Sequence, residues 1–305
     1  MEPVEGELAG LLAAGERAAF HGRPVSGISP LQQAVEVARV AGRSAEATAA
    51  AWLLGVSLGA SGRYGSALTV LEPLTTTQSE SAERRLFAAL AASTAASVHR
   101  QLGSHAVART LDLRAEELAG ESAEAAFDAR LGLAADAVGL GEEGPAREHM
   151  DRAAALTEGR ADWWRQRVRL LWVRTEVALL VGDPAAAGQT AERAVVLAEA
   201  SRAPRHVAKS LLFLGISQVH GAETAEAVQT LRRAATLAES LGTLPLLWPA
   251  RALLGALLEP SAPREAARAL ASARNAVLQI ADDLPESLRD LWLARPDVAA
   301  LLGGE

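Results

Sequence analysis

Few residues in this 305-residue chain stand at spacings that perform chemistry. Asp282-Asp283-Leu284-Pro285-Glu286 imitates an acidic magnesium motif. That chemistry also needs an aromatic-rich apolar cavity and a second metal motif. Aromatic residues make up only 4% of the chain, and no second motif is visible. The proline that follows the acids predicts an exposed turn at a helix end. Lys209-Ser210 has no glycine-rich loop before it, so there is no phosphate cradle. No paired-histidine zinc motif and no serine elbow occurs. Glu148-His149 with Asp151 is an ordinary helical surface pattern. The absence of cysteine removes disulfides, thiolate catalysis and cysteine metal sites together. No set of groups reads as nucleophile, base and oxyanion donor, so the sequence predicts a non-catalytic protein without metal or cofactor.

The charge balance narrows the partners. A formal net charge of −7 and the lack of any basic run argue against a nucleic-acid or membrane surface. Arginine supplies nearly all the positive charge: Lys209 is the only lysine, and Asn275 the only asparagine. The start, Met1-Glu2-Pro3-Val4-Glu5, is acidic and has no apolar signal core, and no apolar run approaches a membrane span. The expected compartment is the cytoplasm.

The elements that would position a binding surface are helices that recur. Small residues at Gly55, Ala96, Ala134, Thr175, Gly215 and Gly255 are spaced by roughly 41, 38, 41, 40 and 40 residues, a solenoid period. At one fixed distance after each stands an alanine: Ala67, Ala108, Ala146, Ala187, Ala227 and Ala267. Half of the chain is hydrophobic, and alanine and leucine, both strong helix formers, fill the core. In the first clear copy Gly62 ends one helix, and Tyr64, Ala67, Leu71 and Leu74 mark the buried face of the next. A link of only a few residues makes the two helices antiparallel. The spacing predicts helices at 44–61 and 64–73, 79–102 and 104–119, 122–140 and 143–157, 161–181 and 184–202, 205–220 and 223–241, and 246–258 and 263–281. Breakers fall between them at Pro73 with Thr75 to Thr77, Gly120, Gly159, Pro204 and Gly242 to Pro245.

The ends read differently. Residues 5–20 and 29–42 form a further pair with a longer connection, Ser29-Pro30 serving as N-cap and first helical residue. Leu284, Leu288, Leu291 and Trp292 make one stripe, Pro296 interrupts, and Val298, Leu301 and Leu302 finish a short piece. The expected architecture is all-α: one domain over 1–305, with an N-terminal capping pair at 1–43, six repeats at 44–281 and a C-terminal cap at 282–305.

The shared phase of Leu54-Gly55, Leu58, Gly62, Tyr64 and Ala67 across the copies resembles the tetratricopeptide repeat superfamily. The resemblance covers nearly the whole chain and implies a right-handed α-α superhelix of about seven hairpins plus a capping helix. The period exceeds the usual thirty-four residues, and Arg174-Thr175 replaces the leucine–glycine pair in the fourth copy. Such long repeats are similar to those of bacterial transcription regulators and signalling ATPases, as is the tail from Leu284 to Pro296.

In that superfamily the first helix of each hairpin lines the concave side. Carried onto this chain, the lining positions are Trp52 and Val56, then Ser93, Ser97, Arg100 and Gln101, then Asp128, Leu131 and Val138. The later copies add Arg169, Trp172, Glu176 and Leu179, then Lys209, Leu212, Ile216 and His220, with Trp248 near the mouth. The resemblance therefore implies a groove site of Trp52, Arg100, Asp128, Arg169, Trp172, Glu176, Lys209, His220 and Trp248. Tryptophan and arginine are frequent interface anchors, and the arginine fork suits a carboxylate. Other readings stand beside this one. Trp52 and Trp172 are equally placed to pack between adjacent hairpins, and Arg169 with Glu176 to form a solvated helix pair. Trp163-Trp164 reads as a staple against the preceding hairpin. The paired lysines and asparagines with which chaperone-binding members hold a terminal carboxylate are absent.

Two functions follow from the resemblance. The first is a scaffold that binds a peptide or helix of another protein in its groove, with Trp52 and Trp172 exposed. The second is a peptide- or ligand-responsive sensor arm of a regulator, with a closed, apolar cavity. Self-association through Trp163, Trp164 or the C-terminal stripe is a separate option.

Overall fold

The computed structural model describes residues 2–76 and 81–303, with side chains from residue 5 onward. Thr77 and the expected helix start at 79 lie outside the described residues. The described residues form helices only: α1 (Glu2–His21), α2 (Pro24–Val40), α3 (Ser44–Ser61), α4 (Tyr64–Thr75), α5 (Ala82–Gln101), α6 (His105–Ala119), α7 (Ala123–Gly139) and α8 (Glu143–Ala155). The second half continues as α9 (Trp164–Leu180), α10 (Pro184–Ala200), α11 (Pro204–His220), α12 (Thr224–Leu241), α13 (Leu244–Leu258), α14 (Pro263–Asp282), α15 (Glu286–Leu293) and α16 (Pro296–Gly303). Consecutive helices pack as hairpins, α1 with α2 through α13 with α14, and each odd helix also touches the next odd one along the stack. This is the all-α, TPR-like solenoid that the period predicts.

The small residues recur for a steric reason. A Cβ added to Gly55 would stand 2.4 Å from Leu71 Cδ2, and one on Gly215 would stand 2.6 Å from Leu231 Cδ2. A leucine of the second helix thus sits directly over the glycine of the first, and the two helices approach through that contact. Gly15 and Leu31 repeat the geometry, with a Cβ 2.3 Å from Leu31 Cδ2. The N-terminal pair therefore packs as the glycine-bearing repeats do. Each of the three leucines is fully buried, a contribution of about 2 kcal/mol apiece. Between α3 and α4 the chain turns at Gly62, whose φ of 88° is left-handed. The Arg63 and Gly62 amides donate to Leu58 O and Gly59 O, closing the helix end.

The N-terminal connection differs from the expectation. No long loop spans His21 to Pro30; α2 starts at Pro24 and Pro30 lies inside it. Pro24 already supplies the fixed φ and the missing donor that suit a first helical position. The interior proline costs one backbone hydrogen bond. That cost is offset by burial of Ile28 and Leu31 and by close packing of Gly27 on Ala18 and Ser57.

The two ends of the array meet. α1 packs on α11 and α3 on α13, although each pair is far apart in sequence. Thr243 Oγ1 donates to Ala60 O at 2.6 Å in a buried position. Asp283 caps the start of α4: the Ser66 amide and hydroxyl donate to its carboxylate at 2.9 and 2.6 Å. The Asp283 carbonyl lies so close to Gly65 that a Cβ there would stand 2.1 Å from it. Arg295 Nη1 donates to Gln101 O, and Trp292, fully buried, meets Tyr64 edge-on at 6.3 Å. The acidic pattern at 282–286 is thus half structural: Asp283 is a helix cap, not one acid of an exposed turn.

Candidate functional site

Because the ends meet, the concave side is a cavity of about 430 Å³ instead of a long open groove. Its wall comes from α3, α5, α7, α9, α11 and α13, with Phe20 of α1, Tyr64 at the start of α4, and Arg295 and Asp297 from the C-terminal tail. On α9 and α11 the lining cations repeat one turn apart: Arg165 and Arg169, then Arg205 and Lys209. An aromatic floor separates them. Trp172 stacks on His206 with centroids 5.4 Å apart and planes 20° apart, and its Nε1 donates to Ser210 Oγ at 2.8 Å. Lys209 Nζ stands 4.5 Å from the Trp172 ring centre and 5.6 Å from that of Phe213, a cation–π arrangement.

The cations divide into partnered and unpartnered. Arg165 pairs with Glu124 at 2.7 Å, Arg169 pairs with Asp128, and Arg295 pairs with Asp297 at 2.6 Å. Arg205 and Lys209 make no ion pair and no hydrogen bond among the described residues, and Arg205 Nε is buried without an acceptor. Burial pushes the Lys209 ammonium down to about 8; Glu176 opposes this, while Arg205, Arg169 and Arg100 add to it. Burial and the charges of Arg169 and Arg165 push Arg205 down to about 10. Burial holds Glu176 above its ordinary value, against the pull of Lys209 and Arg100. His206 is driven well below its ordinary value by burial first, then by Arg205 and its cationic neighbours, and so is neutral.

A second, adjoining cavity of about 210 Å³ shares Ser97, Gln101, Arg169, Trp172, Glu176 and Lys209 with the first. Arg100 borders it, but that charge is consumed. Arg100 Nη1 binds Asp112 and, at 3.0 Å, Asp136; both acids are fully buried. Asp112 takes the place in its hairpin that Leu31, Leu71 and Leu231 fill in theirs, and lies against Gly132, where a Cβ would be 2.2 Å from Oδ2. Burial lifts Asp112 to about 7; Arg100 opposes the shift and Asp136 adds to it. Burial raises Asp136 as well.

Seven of the nine expected residues line the larger cavity: Trp52, Asp128, Arg169, Trp172, Glu176, Lys209 and Trp248. Arg100 borders the smaller one. His220 lies at the exposed end of α11 and lines neither, because the helix has by then carried it past the cavity rim. The rings of Trp52 and Trp172 are not exposed: they are 8% and 5% accessible and bridge adjacent hairpins, Trp52 through Thr94 at 3.1 Å and Trp172 through Ser210. Inter-repeat packing is therefore their main role, with one edge left on the cavity. Arg169 and Glu176 do not pair with each other; Arg169 turns to Asp128 on the preceding hairpin. Trp163 packs edge-on against Phe127 at 6.1 Å, and Trp164 against His21 and His206 at 5.2 and 5.0 Å, so both rings are engaged within the chain. Sequence reasoning missed Arg165, Arg205 and His206. The signal existed, since Arg165 and Arg205 stand one turn before Arg169 and Lys209 in two successive copies.

Comparison with known proteins places the fold. No protein-family model matches the chain, and no curated protein matches it. Solved structures do. A Rap protein complexed with competence and sporulation factor is 10% identical, with a TM-score of 0.59 over 99% of this chain and 96% of that one. A signal transduction ATPase with a tetratricopeptide repeat sensor from Pyrococcus horikoshii is 14% identical, with a TM-score of 0.53 over 92% of this chain. This chain spans only 42% of the length of that ATPase. Among the described residues, no helix is long and apolar enough to cross a membrane. With hairpin stacking, period and structural likeness in agreement, this chain has the TPR-like helical-repeat fold.

Proposed function

We infer that this protein is a non-catalytic binder that holds a short peptide, or a peptide segment of another protein, in the cavity on its concave side. The observation that carries this reading is the wall itself: an aromatic floor of Trp172, His206 and Phe213 beside cations that the chain leaves without partners. A volume of about 430 Å³ lies within the range of small-ligand pockets and well below what a folded partner needs. Likeness in fold to a Rap protein solved in complex with competence and sporulation factor agrees with the reading. A sensor role is the second reading, favoured by the meeting of the chain ends across the cavity. A ligand that binds the closed and opened forms unequally would shift them by its differential affinity.

The test is thermal unfolding of the full chain with pools of short synthetic peptides. A binder at a hundred times its dissociation constant adds about 2.7 kcal/mol to stability. One or more pools should raise the Tm of the wild type and not that of Trp172→Ala. If no pool raises it, peptide binding in the cavity is rejected.

A further inference from the structure

We propose that the Arg205–Lys209 turn of α11 is a carboxylate subsite of this cavity, accepting one acidic group of a bound peptide. The proposal rests on the peptide-binding reading and states which chemistry the ligand brings. Three observations meet at this place. First, the other cations on the larger cavity's wall have acidic partners, whereas Arg205 and Lys209 have none among the described residues. Second, orphaned polar atoms gather beside them: Tyr64 Oη, Arg205 Nε and His206 Nδ1 are buried without hydrogen-bond partners, and all three residues line the same cavity. Buried polar atoms are partnered in the great majority of native sites, so such a cluster calls for a ligand group. Third, Arg205 stands in the first turn of α11, where the helix dipole already disfavours a cation and favours an anion.

An anion placed here relieves all three. A carboxylate fits the guanidinium fork and takes a further bond from the ammonium. Lys209 Nζ already stands over the Trp172 and Phe213 rings, which hold the ammonium at the cavity wall where the carboxylate would meet it. Glu176 is the one acid on this wall without an arginine or lysine partner, and burial favours its neutral form. The carboxylate has two sources in a peptide, the C-terminus and an aspartate or glutamate side chain, and the test separates them.

Lys209 is the only lysine in the chain, so protein labelled with carbon-13 at lysine Cε gives a single side-chain signal from inside the cavity. The labelled full chain is titrated with three pools of pentapeptides: free acids without Asp or Glu, the same sequences as C-terminal amides, and amides carrying one Asp. Tryptophan fluorescence is recorded in parallel as a measure of binding. The expected result is a saturable shift of the Lys209 signal with the free acids or with the Asp-containing amides. Plain amides should bind about tenfold or more weakly and leave the signal in place. A shift with the free acids alone assigns the C-terminus; a shift with the Asp pool alone assigns a side chain. Binding seen by fluorescence with equal affinity for acids and plain amides, and an unmoved Lys209 signal, overturns the subsite while leaving the binding cavity intact. No binding in any pool overturns both. Arg205→Gln and Lys209→Gln should each lose about tenfold in affinity for the acidic pool while keeping a helical circular dichroism spectrum and at least wild-type Tm. A fall in Tm with unchanged affinity would make these cations structural.

Discussion

Two half-buried basic centres border the adjoining cavities and are built oppositely. At Arg100 the chain supplies everything: two carboxylates, Asp112 and Asp136, meet one guanidinium within three consecutive helices. At Arg205 and Lys209 it supplies aromatic rings and, among the described residues, no ion-paired acid; Glu176 acts on Lys209 without a salt bridge. A buried charge without a counter-charge is costly, whereas a paired one is held in place by its partner. The first centre is completed within the fold; the second is the one that the proposed ligand would complete. Charge alone does not make the distinction; partnership does.

The largest expected effect breaks the first centre. Arg100→Met strands two buried acids and should cost about 3–5 kcal/mol, read as a lower urea midpoint. Lys209→Met removes a cation that has no partner and should leave the midpoint unchanged or raise it. Equal losses in both variants would erase the contrast. A pH series sharpens it next. In the folded state Asp112 keeps its proton to about pH 7, while an unfolded aspartate releases its proton near about 4. Folding is thus favoured by the protonated form. This contribution is complete below about pH 4 and is lost as pH rises through about 7. Asp136 and Glu176, shifted the same way, also lower stability across that interval, while His99, His105, His149 and His206, whose values burial lowers, raise it. The stability of Asp112→Asn relative to the wild type should therefore rise across the same interval, and no such rise would remove Asp112 from the account. The smallest effect lies at the second centre. Glu176→Gln removes the acid nearest in influence to Lys209, and should tighten binding of an acidic peptide by a few-fold, under about 1 kcal/mol, in isothermal titration.

Most of the fold was legible because its cause is periodic. Gly55, Gly215 and their alanine companions mark where two backbones touch, and that contact must recur in each hairpin that uses it. Gly15 and Leu31 carried the same signal, hidden because Pro30 looked like a helix start and Gly27 holds the place that alanine fills elsewhere. Seven of the nine expected site residues reached the larger cavity for the same reason, since a helix face follows from spacing. What spacing could not give was the company each side chain keeps. Asp128 draws Arg169 away from Glu176 from another hairpin, and Asp112 occupies a leucine position to hold Arg100. Least legible was the closure. Thr243 on Ala60 and Asp283 on Ser66 join residues from opposite ends of the array, and such pairs leave no periodic trace. That closure turned an expected groove into a chamber and buried Trp292 against Tyr64.

The meeting of the ends also changes how the molecule should unfold. An open stack of repeats behaves as a chain of nearest-neighbour links, so it can fray from either terminus and lose one repeat with modest loss to the rest. Here the last hairpin and the tail hold the second and third hairpins through Thr243, Asp283 and Arg295, and α1 of the first hairpin packs on α11. Fraying one end withdraws support from the other, and the array is expected to melt as one cooperative unit. A chain shortened by a single internal hairpin would lose that mutual support, and with it more stability than one repeat accounts for.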